Sequence, residues 1–221
     1  MPIRLPALFL ALLGTLFFCQ TTRATEAETV TALAIRAQHR FAEDYRVDVQ
    51  LSQRWYEGFK AGERSIFSMG LSHNIDRWQV SGGYNMHFNR SVPGKEQRLW
   101  QQLRYTFDTG RGELESSVRV EERYFTSNRE GGGRLRILNS WNYPLGTRDE
   151  LSLGYEWLFN MNDIGTAIRR GVAQHRLISG LEHTLANGHR MDLDYQLRIV
   201  HIPAAENRLQ HQLQLTYVVS F

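Results

Sequence analysis

Cysteine is all but missing from this sequence of 221 residues; there is one, Cys19. A single thiol can build neither a disulfide framework nor a multi-thiolate metal site. Long apolar runs are missing as well. Beyond the leader, no stretch reaches the roughly eighteen apolar residues that a membrane-spanning helix needs. A dominant charge is absent too, since 26 Lys+Arg oppose 23 Asp+Glu. Neither nucleic acid nor an acidic partner is implied by that balance. Helical periodicity is scarce throughout. With a negative mean hydropathy, the averages suggest a soluble globular protein, and the order of the residues contradicts them.

The first residues are a leader. Arg4 supplies a basic start, Leu5–Phe18 is an apolar core, and Thr22 and Ala24 meet the small-residue rule for cleavage before Thr25. Met1–Ala24 therefore reads as a secretory signal peptide, with Ala27 a second possible cut. Phe18 stands where a lipoprotein signal needs a small residue, so Cys19 leaves with the leader. Losing Arg4 and Arg23 lowers the formal charge from +3 to +1 in a cysteine-free exported chain.

From Asp44 onward the pattern has period two. Tyr45, Val47, Val49 and Leu51 alternate with Arg46, Asp48, Gln50 and Ser52, and comparable sets recur to Phe221. They predict ten half-apolar strands of about ten residues or more each. Tight turns near Asp76, Asp108–Gly112, Leu145–Asp149 and Ala186–His189 alternate with longer polar loops at Tyr56–Arg64, Asn89–Glu96, Thr126–Gly133, Asn160–Arg170 and Ile202–Glu206. Short and long connections in alternation mark an up-and-down antiparallel barrel in an outer membrane. One face of the strands carries a single charge, Glu122, while the other carries twelve arginines and ten acids. Strands this long exceed those usual in a soluble sandwich. Aromatics such as Trp55, Trp78, Tyr124 and Tyr143 gather at strand ends, where interfacial girdles belong.

The stretch Thr25–Glu43 supports two readings. Leu33, Ile35, Ala37 and Phe41 alternate as in a strand, while Val30, Leu33, Ala34, Ala37 and Phe41 form a helical stripe. Even strand counts are the rule in single-chain bacterial barrels. The expectation is thus a signal peptide over 1–24, a non-spanning periplasmic or interfacial segment over 25–43, and a barrel over 44–221. Twelve strands are the alternative to ten.

The closing residues Leu213, Leu215, Tyr217, Val219 and Phe221 resemble the C-terminal signal read by the outer-membrane barrel assembly machinery. With Glu121-x-Arg123, Arg134-x-Arg136, Glu156-Trp157-Leu158-Phe159 and Gln174-His175-Arg176, the mature chain resembles an uncharacterised family of small outer-membrane β-barrels. The resemblance implies fold and location but no activity.

The candidate site is the charged face, which the barrel would turn inward. Arg104, Arg119, Glu121, Arg123, Arg136, Glu156, Arg176, Asp192, Asp194 and Arg198 form the expected lumen network. Arg104, Arg119, Arg123, Arg136 and Arg176 would face Glu121 and Glu156, and Asp192 and Asp194 would serve Arg190 and Arg198. A salt-bridge plug is weighed above a selective pore for a small ion or solute. A lipid- or lipopolysaccharide-modifying enzyme is the alternative class. No histidine has a serine two residues on, and His175 and Ser179 would lie roughly 13 Å apart along a strand, so a non-enzyme is expected. Gly131-Gly132-Gly133 reads as a flexible loop, and Arg169-Arg170 as loop cations able to meet lipopolysaccharide phosphates. No metal-ligand spacing and no nucleotide fingerprint occur, so no cofactor is expected. The expected partners are outer-membrane lipid, lipopolysaccharide and the assembly machinery, with the barrel itself a monomer.

Overall fold

The computed structural model describes residues 27–57, 63–89, 95–126, 129–165, 168–202 and 206–221. The stretch 1–24 expected to be a signal peptide, with Cys19, lies outside them. Eleven strands follow one another: β1 (Ala27–Ala42), β2 (Tyr45–Tyr56), β3 (Glu63–Ile75), β4 (Trp78–Asn89), β5 (Lys95–Asp108), β6 (Glu113–Phe125), β7 (Glu130–Pro144), β8 (Asp149–Asn160), β9 (Gly171–Thr184), β10 (Arg190–Val200) and β11 (Arg208–Ser220). Each pairs antiparallel with its chain neighbours, and the sheet closes into a barrel.

The ten-strand expectation is overturned, and the twelve-strand one with it. The segment assigned to a non-spanning role is β1, a 16-residue strand. It pairs in parallel with β11, from Ala27 beside Leu209 to Gln38 beside Ser220, and antiparallel with β2. An odd strand count requires one parallel pair to close the sheet, and the parity argument had excluded that pair. The ambiguity over β1 also has a physical origin. Its inward residues Val30, Ala32 and Ala34 are small, apolar and buried, while Leu33 and Ile35 face outward. With both faces apolar, the period-two contrast vanishes.

The connections divide the barrel into two ends. Short turns such as 76–77 and 145–148 sit at one end, and the longer loops at the other. The short turns need left-handed backbone. Asp76 (φ 55°) and Gly188 (φ 80°) supply it, at little cost for Asp and none for Gly. The C-terminus is fastened at the short-turn end. Phe221 N–H donates to the Gln38 carbonyl at 3.1 Å, its carbonyl accepts from His39 Nδ1 at 2.7 Å, and the two rings stack at 5.0 Å.

Alternation then partitions the side chains. Ile35 (61% exposed), Leu51 (62%), Val80, Leu103, Val118, Leu193 and Leu213 point out around the wall. Glu121, Glu156, Arg123, Arg134, Asp192, Arg198 and Gln212 point in and are buried. Glu122 faces out, beside Leu99 on β5 and Gly133 on β7.

The glycine run 131–133 is part of β7 and not a loop. Its lack of side chains has a packing cause. A Cβ on Gly132 would come within 2.5 Å of Ile164 Cδ1, and one on Gly133 within 2.8 Å of Met161 Sδ. The connection after β8 folds down onto this bare strip. Asn162 Oδ1 accepts from Gly133 N–H at 2.8 Å, and Ile164 is buried.

Candidate functional site

Lumen charges from adjacent strands meet because inward residues sit side by side across each strand pair. The register places Glu121 of β6 beside Arg134 of β7 and Trp100 of β5, and Glu156 of β8 beside Arg176 of β9. Long side chains then reach one step up or down. A continuous ladder of alternating sign results. Arg123 Nε bonds Glu96 Oε1 at 2.5 Å. Glu96 bonds Arg98 at 2.9 Å, and Arg98 approaches Glu121 at 3.6 Å. Glu121 accepts from Arg136 at 2.8 Å, Arg136 donates to Glu156 at 2.6 Å, and Glu156 accepts from Arg176 at 2.9 Å.

At the centre of the ladder the two carboxylates are shielded from solvent. The side chains of Glu121 and Glu156 are 0% and 3% exposed. Arg136 satisfies both at once, its Nη1 on Glu121 and its Nε and Nη2 on Glu156. Two carboxylates sharing one guanidinium fork form charge-assisted bonds, roughly twice as strong as neutral ones. They also tie together three strands, β6, β7 and β8. Leu158, fully buried on the same inner wall, excludes water beside them.

Five of the ten expected lumen residues belong to this ladder: Glu121, Arg123, Arg136, Glu156 and Arg176. The others go elsewhere. Arg104 does not face the glutamates; it pairs with Glu115 at 3.4 Å. Arg119 lies 4.2 Å over the Trp100 ring and donates to Gln102 at 2.7 Å. Asp192 takes Arg190 at 2.6 Å, as expected. Arg198 instead donates to Gln196 at 2.6 Å, and no ion pair joins it to Asp194 among the described residues. Arg190 is committed to Asp192 and to Glu182, at 2.9 Å.

Three contributors escaped the sequence reading. The sequence pattern puts Glu96 at the end of a loop, and it is the second residue of β5. Arg98 had been counted on the charged face but not in the network. Trp100 is an inward aromatic between outward Leu99 and Gln101, and it sits mid-strand instead of at a strand end. Paired glycines signal it. Gly70 lies beside Gly83 across β3 and β4, and Gly83 beside Trp100. A Cβ on Gly70 would meet Trp100 Cζ2 at 3.1 Å, so the glycines clear the space for an indole inside the barrel.

Trp100 and Arg119 also divide the lumen. On their short-turn side lies a polar cavity of about 250 Å³, bounded among others by Asp48, Gln79, Gln102 and Arg104. Gln79 and Arg104 also line a second cavity of about 400 Å³ at the barrel mouth, with Asp108, Glu113 and Glu115. Together they make up a vestibule lined by acids and arginines in equal number. On the other side of Trp100 is the ladder. Charge follows the same division. Acids outnumber arginines in the short-turn half, and arginines outnumber acids in the long-loop half.

The residues weighed for hydrolysis lie on the outer wall. His175 Nδ1 is hydrogen-bonded to the Tyr155 hydroxyl at 2.7 Å, and Ser179 sits beside Leu153 and Tyr195. Of the loop cations, Arg169 reaches Asp163 at 3.5 Å, and the same carboxylate accepts the Arg170 N–H at 2.6 Å. Leu213, Leu215, Tyr217 and Val219 alternate outward along β11 against inward Gln212, Gln214, Thr216 and Val218. No group of His, Cys, Asp or Glu able to hold a metal ion occurs among the described residues.

Residues 33–210 match the model of one protein family, described as a protein of unknown function (DUF2490). No curated protein matches the chain.

Proposed function

The chain belongs to the DUF2490 family, and we propose on that premise that it is a bacterial outer-membrane β-barrel of the structural type, its lumen braced shut by charge. The observation that carries the reading is the inverted distribution of side chains. Leucine, isoleucine and valine ring the outside of a closed barrel, while buried arginine and glutamate fill the inside. A barrel in water gains by the opposite arrangement, since each buried CH₂ stabilises by about 0.8 kcal/mol. Hydrocarbon outside reverses that preference. Strands of 11 to 16 residues meet or exceed the nine to eleven or so that a tilted membrane strand requires, so each can cross.

The ladder supports a brace over a permanently open pore. Its seven charged side chains run across the lumen from β5 to β9 in direct contact, and a hydrated ion would have to break several of those bonds to pass. The vestibule on the other side of Trp100 is then a blind pocket at the short-turn end. With the C-terminus periplasmic, as in exported barrels of this kind, the vestibule opens to the periplasm and the longer loops face the outside.

Two measurements test this. The full-length protein should migrate differently boiled and unboiled in detergent and fractionate with the outer membrane; recovery from the soluble periplasm would end the reading. In planar bilayers the wild-type barrel should be electrically silent, and Arg136→Ala should introduce current steps by opening the ladder's centre. Steady single-channel steps from wild type would convert the brace into a pore.

A further inference from the structure

The ladder does not neutralise every lumen arginine. In the long-loop half, arginines sit directly side by side on neighbouring strands at several places: Arg98 with Arg123, Arg119 with Arg136, Arg176 with Arg198, and Arg54 with Arg64. Like charges directly opposite one another are destabilising. Glu96 bridges the first pair. In the second, Arg136 has two carboxylates and Arg119 has the Trp100 face. In the third, Arg176 has Glu156 but Arg198 has none. The Arg54–Arg64 pair has no carboxylate partner among the described residues, and the buried Arg54 Nε has no protein acceptor. The stretches outside the described residues contribute a single acid, Glu26, ahead of β1. Glu57 and Glu63 flank the β2–β3 loop beside this cluster, and neither forms an ion pair with Arg54 or Arg64 among the described residues.

A second observation points to the same place. His87 on β4 faces the lumen, is 8% exposed, and neither of its ring nitrogens has a protein partner. It lies diagonally from Arg64, beside Ile66 on β3 and Glu96 on β5, and Glu96 is itself committed to Arg98 and Arg123. Arg198 on β10, separated from β2 only by β1 and β11, is a further buried arginine in the long-loop half whose partner is the neutral Gln196. The wall formed by β2, β3 and β4 thus presents two guanidinium forks and an imidazole to one space, and β10 adds a third fork. A guanidinium cannot shed its proton in a protein; Arg64 has the Tyr56 ring at 5.9 Å, and an anion would supply the full counter-charge that a ring does not. Planar forks fit tetrahedral oxyanions two bonds at a time, and a buried imidazole can add an N–H donor.

We propose that the long-loop half of the lumen is an oxyanion-binding site, in which Arg54, Arg64, His87 and Arg198 clasp a phosphate or sulfate group. The site does not depend on membrane location or on conduction, and it stands or falls separately from the brace. The phosphate can be a free ion or part of a larger solute entering between the long loops.

The test uses the full chain folded in detergent micelles, titrated with inorganic phosphate at constant ionic strength against chloride. Wild type should show saturable heat on calorimetry, and the His87 ring nitrogen resonances should shift with the same midpoint. R54Q and R198Q should each weaken binding about tenfold or more, the loss of a charge-assisted fork. R104Q, in the vestibule, should bind as wild type does. In phosphate-free chloride buffer R198Q should unfold no earlier than wild type, because it removes a buried charge that has no carboxylate. A purely structural arginine would give the opposite result. Should R54Q fail to fold, R54K keeps the charge without the fork and should still bind several-fold more weakly. Absence of saturable phosphate or sulfate binding by wild type overturns the site, as does unchanged binding in both R54Q and R198Q. Binding only to vesicles carrying phosphorylated lipid, with none to free phosphate, would move the site from the lumen to the rim and overturn it equally.

Discussion

Arg136 and Arg46 show how far burial separates residues that look alike in sequence. Both are arginines facing the lumen, and each has a carboxylate in reach. Arg46 meets Asp48 at 3.1 Å near the short-turn mouth, where both side chains keep a quarter to a third of their surface in solvent. Exposed pairs of this kind contribute about 0–1 kcal/mol. Arg136 serves Glu121 and Glu156, which are almost wholly shielded. Removing it strands two buried carboxylates, and the cost of breaking a buried pair is about 3–5 kcal/mol. Arg136→Ala should therefore lower the urea midpoint of micelle-folded protein sharply, and Arg46→Ala should leave it nearly unchanged. Equal losses would mean that water reaches the ladder. The residue-scale reading from sequence went as far as inward and outward, because alternation encodes that directly. It did not extend to partners. Arg104 and Arg123 are both inward arginines, yet one meets Glu115 and the other Glu96. Strand register decides this, and the apolar pattern alone leaves register open wherever a connection is long.

Among the elements, β1 was the hard one and β11 the easy one, although they lie side by side. β11 alternates glutamine and threonine inward with leucine and tyrosine outward. Its neighbour places Val30, Ala32 and Ala34 inward. Those small side chains leave room for Arg54, which sits beside Ala32, so the feature that hid the strand also serves the lumen. The alternation of short turns and long loops was legible because Asp, Gly and Asn cluster where backbone must reverse. The glycine run at 131–133 misled for the same reason, since a strand stripped of side chains to admit Ile164 looks like a flexible loop. The parallel seam is checked directly by cross-linking. Ala37 and Val219 are register partners across it, and Cys19 is the sole native cysteine. A37C/V219C should form a disulfide in the folded barrel that survives boiling. A37C paired with L215C, which is offset along the same strand, should not. A ten-strand barrel with a free N-terminal segment would give neither product efficiently.

For the whole molecule the question is what solvent the outer wall meets, and depth along a strand can answer it. Leu51 lies midway along β2 and is 62% exposed on the outer face, while Tyr45 begins the same strand at the short-turn rim and is 38% exposed. In water, substitution of either exposed residue by arginine changes stability little, within about 0.5 kcal/mol. In a bilayer the two differ. Arginine on the lipid face of a barrel costs about 2–4 kcal/mol at the midplane and roughly 0–1 kcal/mol near the interface. L51R should therefore reduce the unfolding free energy in lipid vesicles by an amount several times that of Y45R, and the gap should shrink in short-chain detergent, where water comes closer to the wall. The lumen is on the opposite side of the sheet, so neither substitution touches the ladder, and a loss at Leu51 cannot be attributed to broken ion pairs. Equal and small effects of both substitutions would place this wall in water, and the arginine-filled interior would then lack the apolar solvent that makes an inside-out barrel stable.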